Sequence, residues 1–95
     1  MNTTLQLHDS TLKKIELDWT TGWMLAILTA GAEQREVRIV GKAVKSFTYD
    51  RNFPWGRSVS VNHCTIEQIQ ETAVLKLEMQ SGDMLTGKGE SFHIS

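Results

Sequence analysis

Two stretches of this chain match one another in apolar type, turn position and register: Ile15-Glu16-Leu17-Asp18-Trp19-Thr20-Thr21-Gly22-Trp23-Met24-Leu25 and Leu75-Lys76-Leu77-Glu78-Met79-Gln80-Ser81-Gly82-Asp83-Met84-Leu85. Each alternates apolar and polar residues, reaches a short polar turn containing glycine, and resumes with apolar residues. Side chains on a strand alternate faces with period two, so both segments read as amphipathic antiparallel hairpins. A shared recipe for such hairpins accounts for the likeness without duplication, and it supports two sheets, each seeded by one hairpin.

The remaining segments extend the same reading. Thr4-Leu5-Gln6-Leu7-His8 alternates as a short first strand ended by Asp9-Ser10, whose side chains bond local backbone in turns. Lys13 to Trp19 reads as a strand burying Ile15, Leu17 and Trp19, although Leu12, Ile15 and Glu16 also fit helical spacing. Trp23 to Leu28 is apolar on both faces, as in a central strand covered on each side. Val37 and Ile39 alternate with Glu36 and Arg38. Ala43, Phe47 and Tyr49 fall on one side of a further strand, with Val44, Ser46 and Thr48 opposite, and Val59 and Val61 open the next. From Thr65 to Ala73 a short helix and an irregular extended crossing fit equally well. Gly87-Lys88-Gly89 weakens the return arm of the second hairpin, and Phe92 and Ile94 fit an edge strand. The sum is a single all-β domain over residues 1–95, a small antiparallel sandwich or partly open barrel of about six to eight strands. Its expected core comprises Ile15, Leu17, Trp19, Leu25, Ile27, Val37, Ile39, Val74, Leu75 and Leu77.

Composition narrows the functional classes. With 95 residues, 40% hydrophobic and 22% charged, the chain has the balance of a folded domain with one modest core. No apolar run reaches the ~18 residues of a membrane helix, and Met1-Asn2-Thr3-Thr4 lacks the features of a signal peptide. Cys64 is the only cysteine, which excludes an intrachain disulfide and suits a reducing compartment. A cytoplasmic location is therefore expected, without membrane contact. The net charge of -1 gives no global steering toward nucleic acid. Arg35, Arg38, Lys42, Lys45, Arg51 and Arg57 nevertheless concentrate positive charge in the middle of the chain.

The segment most suited to recognition is Phe53-Pro54-Trp55-Gly56-Arg57. Its proline is the only one in the chain, and it fixes its own φ and biases Phe53 toward extended geometry, while Gly56 permits a sharp turn after Trp55. A stiff loop loses little freedom on docking, and Trp and Arg lead the residue types that dominate interfaces. The expected binding residues are Phe53, Pro54, Trp55, Arg57 and Arg51, serving a protein partner or a second copy in a homodimer. The alternative is a small anionic or nucleotide-like ligand near the basic middle.

Catalysis finds little support in the spacing. His8, Asp9, His63, Cys64 and His93 include zinc-ligand types, but the close ligand pairs of structural sites are missing, and adjacent His63 and Cys64 on a strand point to opposite faces. Gly56-Arg57-Ser58-Val59-Ser60 lacks the second glycine of a nucleophile elbow, and Gly87-Lys88-Gly89 is too short for a phosphate loop. No catalytic residue, metal or cofactor is assigned. Phe47, Tyr49, Phe53 and Trp55 interleave with basic residues as in single-strand-binding barrels, but alternation puts Phe47 and Tyr49 in the core, which disfavours nucleic acid.

Taken together, Leu7-His8-Asp9-Ser10, Pro54-Trp55-Gly56-Arg57-Ser58-Val59-Ser60-Val61-Asn62 and Glu78-Met79-Gln80-Ser81-Gly82-Asp83 resemble small uncharacterised bacterial β domains. The resemblance implies a bacterial source and a compact β fold, and brings no activity or catalytic residue with it.

Overall fold

The computed structural model describes residues 2–50 and 60–94, with side chains described from Gln6 onward. Among the described residues nine strands run in chain order: β1 (Asn2–Leu5), β2 (Thr11–Leu17), β3 (Met24–Ala30), β4 (Arg35–Lys42), β5 (Ser46–Tyr49), β6 (Val61–Ile69), β7 (Thr72–Met79), β8 (Met84–Gly89) and β9 (Ser91–Ile94). No described residue is helical. The strands form two antiparallel sheets, ordered β1-β6-β7-β8-β5 and β2-β3-β4-β9. The fold is a small β-sandwich, as the alternation predicts. Both similar hairpins are present, one per sheet, as β2-β3 and β7-β8.

Between the sheets lie Leu7, Met24, Ala26, Leu28, Val37, Ile39, Val61, Cys64, Leu75, Leu77, Leu85 and Phe92. Leu25 and Val74 are also buried but lie outside this cluster, because each alternates with core residues on its own strand and so faces the outer side of its sheet. Two irregularities keep the inward face apolar. The pairing of β2 with β3 shifts at Lys13, so Leu12 and Ile15, three apart, both pack against the core. An equivalent shift at Asn62 in β6 puts Val61 and Cys64 both inside and leaves His63 outside. An extra residue in one strand does this by flipping the phase of everything beyond it. The helical spacing of Leu12 and Ile15 is thus the mark of a bulge.

The two sheets share a corner. At Lys42 the chain leaves β4, turns through Ala43-Val44-Lys45, and continues in the other sheet as β5, while β8 passes into β9 at Glu90 beside it. Lys45 N donates to Lys88 O at 2.8 Å and Glu90 N to Lys42 O at 3.0 Å, so the two bending chains stay bonded through the bend. Val44 N also donates to Gly22 O at 2.8 Å, tying the corner to the β2-β3 hairpin. Ala43 takes a left-handed φ of 50° to make the turn. Gly89 admits this close approach: a Cβ there would stand 2.9 Å from Val44 Cα and 3.0 Å from Lys42 O. The expected single strand from Ala43 to Tyr49 is therefore broken, and Gly87-Lys88-Gly89 belongs to the packed corner instead of a weak strand end.

Two other expectations are corrected. Thr65 to Ala73 is neither helix nor irregular crossing: β6 runs to Ile69 and turns at Gln70-Glu71 into β7. Trp19 and Leu17 are not core residues, being 99% and 52% exposed, and Ile15 and Ile27 are only half-buried. The cause is position. The edge strand β2 ends at Leu17, and the next residues form a turn in which Asp18 Oδ1 accepts from Thr20 N at 3.0 Å and Thr21 N at 3.1 Å. Trp19 lies in this turn, past the last strand residue that could share the core. No helix among the described residues is long and apolar enough to cross a membrane.

Leu77→Ala, in the middle of the core, is expected to destabilise by about 2–5 kcal/mol, and Gly89→Ala by about 1–3 kcal/mol because the added methyl meets backbone that cannot yield. Trp19→Ala should change folding stability by no more than about 0.5 kcal/mol. Denaturant unfolding of the three variants checks all of this, and a neutral Gly89→Ala would remove the tight contact at the corner.

Candidate functional site

Two surfaces combine chemistry with shape. The first is a polar end, where the turn after residue 7 docks on β6 and on the β7-β8 hairpin. Asp9, at φ 68°, donates its N–H to Val61 O at 2.9 Å, and Val61 N donates to Ser10 O at 2.8 Å. His8 Nδ1 donates to the carbonyl of Asn62, the bulged residue, at 2.9 Å, and its Nε2 stands 3.5 Å from Asp9 Oδ1. Gln80 Nε2 donates to the same Asp9 oxygen, and Asn62 Nδ2 donates to Glu78 Oε1 at 3.0 Å. The bulge turns the Asn62 carbonyl toward His8, a common use of an extra residue at a sheet margin. The three motifs that carry the bacterial resemblance thus meet in space through His8-Asp9-Ser10, Ser60-Val61-Asn62 and Glu78-Met79-Gln80. Each of these polar groups has a partner within the cluster, so the arrangement fixes loops to strands.

Cys64 does not supply a nucleophile to this end. It is fully buried between the sheets, and burial pushes its thiol up to about 12 from an ordinary 9.0. His63 is exposed on the opposite face of β6, and His93 lies on β9 in the other sheet. Among the described residues no three His, Cys, Asp or Glu side chains are grouped to hold a metal.

The second surface is a groove of about 430 Å³ between β2 and β5, the edge strands of the two sheets. Leu12, Ile15 and Leu17 form one wall, Phe47 and Tyr49 the other, and the buried Met79 and Leu85 the floor. The Phe47 and Tyr49 rings lie 6.1 Å apart at 39°. Lys13 and Lys14 stand at the β2 rim, where Lys14 Nζ is 2.8 Å from Glu16 Oε1, and Asp50 stands at the β5 rim. That ion pair raises the Lys14 pKa, led by its hydrogen bond to Glu16. Trp19, the most exposed aromatic of the described chain, follows Leu17 of this wall by two residues, in the turn after β2. Sequence reasoning missed this groove because it assigned Ile15, Leu17, Trp19, Phe47 and Tyr49 to a closed core. The exposure of an edge is a property of strand order, and alternation does not carry it.

Arg51, Phe53, Pro54, Trp55 and Arg57 lie outside the described residues. The described chain fixes the two ends of that segment: Asp50 N donates to Met84 O at 2.9 Å, and Ser60 bridges Thr11 of β2. Among the described residues, the basic side chains of β4 do not converge. Arg35 and Lys42 occupy opposite ends of β4, about 23 Å apart at ~3.3 Å per residue, and Arg38 is taken by Glu36 at 2.7 Å.

No family model and no curated protein matches this chain. Among solved structures, it is similar to an uncharacterized protein from Neisseria gonorrhoeae, with a TM-score of 0.79 over 100% of this chain and 97% of that one, at 13% identity. What the two share is the fold. The neighbour is itself an uncharacterised bacterial protein, which agrees with the resemblance read from the three motifs.

The buried thiol makes a prediction. An unfolded chain ionises Cys64 from pH 9.0 upward while the native state holds the proton to about 12, so stability from this group is complete below pH 9.0 and is lost as pH rises through that window. Comparing unfolding midpoints on either side of pH 9.0 in wild type and Cys64→Ala should give a steeper alkaline loss in the wild type. A thiol reagent should label Cys64 only when the protein is unfolded.

Proposed function

We propose that this chain is a non-enzymatic binding module that engages another polypeptide through an aromatic surface. The observation that carries the reading is Trp19, 99% exposed and two residues beyond Leu17, which lines an apolar groove whose walls come from two edge strands. Water-exposed indole makes no contribution to the fold, and large exposed apolar patches beside grooves mark interaction sites. Phe53, Pro54, Trp55 and Arg57 add a second aromatic element on sequence grounds. The anionic-ligand alternative has less behind it, because the described basic residues spread along β4. Soluble expression in a bacterial cytoplasm suits a module of this composition.

Site-specific photo-crosslinking in cells tests the reading. A photoreactive residue at Thr20 or Tyr49 is expected to form a discrete protein adduct, while one at Glu71, in the turn between β6 and β7, forms none. Equal adducts from all three positions, or none from any, would count against a binding role for this surface.

A further inference from the structure

We infer that the partner seated in the groove is a second copy of this chain, with Trp19 of each copy entering the groove of the other about a two-fold axis. This rests on the protein-binding reading and commits it to one occupant. Knob and hole lie on the same strand: Leu17 lines the groove and Trp19 follows two residues later, so one axis close to Leu17 brings both knobs to both holes. A self-complementary patch of this kind closes as a dimer and does not propagate. The volume of about 430 Å³ lies within the range of sites that take a ring system, and an indole buries ~150–250 Å² when enclosed.

Charge sets the orientation. Asp18 precedes Trp19, and the groove carries Lys13 and Lys14 on its β2 rim, Lys14 already held by Glu16 at 2.8 Å so that Lys13 supplies the attraction, and Asp50 on its β5 rim. An incoming Asp18-Trp19 is drawn to the β2 side and repelled from the β5 side, which leaves the indole over Leu12 and Ile15. Asp18 keeps one carboxylate oxygen on its own turn, accepting from Thr20 and Thr21, so the knob is presented on a braced turn and loses little freedom on docking. Docking by side chain also fits the nature of the β2 edge. Its register shift at Lys13 and its two lysines oppose direct strand addition, the usual protection of an exposed edge.

The test is sedimentation equilibrium of the full chain from about 1 µM to about 1 mM, with Trp19→Ala, Asp18→Asn and Lys13→Glu variants. The wild type is expected to dimerise within this range. Trp19→Ala should be a folded monomer throughout, and the two charge variants should weaken association several-fold, an effect that added salt also produces in the wild type. Asp18→Asn retains the turn acceptor, and Lys13→Glu alters only the hole, so both remain informative if Trp19→Ala fails to fold. A wild type that stays monomeric, or a Trp19→Ala dimer of unchanged affinity, overturns the inference. A monomeric wild type whose Thr20 crosslinks to a different protein removes the second copy and leaves the binding reading in place. A monomer without any adduct removes both.

Discussion

The contact on which the rest of this fold depends is the backbone-to-backbone approach of Gly89 and the Ala43-Val44 turn. Two sheets joined at a corner must be bonded where the chain passes from one to the other, and here both crossing chains meet at one point. A side chain at Gly89 would occupy the space of Val44 Cα and the Lys42 carbonyl, and without that space the bonds from Lys45 to Lys88 and from Glu90 to Lys42 could not form together. Phe92 exploits the same openness one step further along, its ring lying 2.7 Å from where a Cβ on Gly41 would stand and 3.2 Å from one on Gly87. The glycines therefore act by omission. They let an aromatic ring and a turn occupy positions that ordinary strand residues would fill.

The groove is a by-product of this corner. Because β5 departs with β8 while β2 and β3 stay with the other sheet, the two edges separate, and the inward side chains of β2 face a gap instead of an opposing strand. Such a gap has two stable remedies: fill it with polar residues, or let something apolar come in from outside. This sequence keeps Leu12, Ile15, Leu17, Phe47 and Tyr49 there. The polar end is the opposite case, since His8, Asp9, Asn62, Glu78 and Gln80 satisfy one another and hold the chain in place.

Much of the architecture was legible in the residues. Alternation gave the strands of both hairpins, and the opposite faces of His63 and Cys64 followed from period two alone. Three things escaped, each for a physical reason. The bulge at Lys13 shifts the phase by one residue, so Leu12 and Ile15 read locally as helical spacing where pairing with a neighbour reads as a strand. The corner depends on Gly89 meeting residues more than forty positions earlier, a relation that propensity treats as mere weakening. Trp19 fits the apolar rhythm of its strand, and only the end of that strand, set by the Asp18 turn, places it in water. The Phe53–Arg57 segment was chosen on residue chemistry and lies outside the described residues, whereas the groove required strand order to be seen.

The pairing of β4 with β9 has a consequence for how the molecule is made. Ile39 is hydrogen-bonded across to a strand that contains Ile94, and β1 pairs with residues 64–67 of β6. The four-stranded sheet lacks a neighbour until β9 has been made and the five-stranded sheet until β8 has, so each waits for strands far along the chain from its first. Such long-range pairings delay closure and slow folding relative to chains built from local contacts. During that interval the β2-β3 hairpin is exposed with Met24, Ala26 and Leu28 uncovered, so the nascent chain presents more apolar surface than the finished protein ever does.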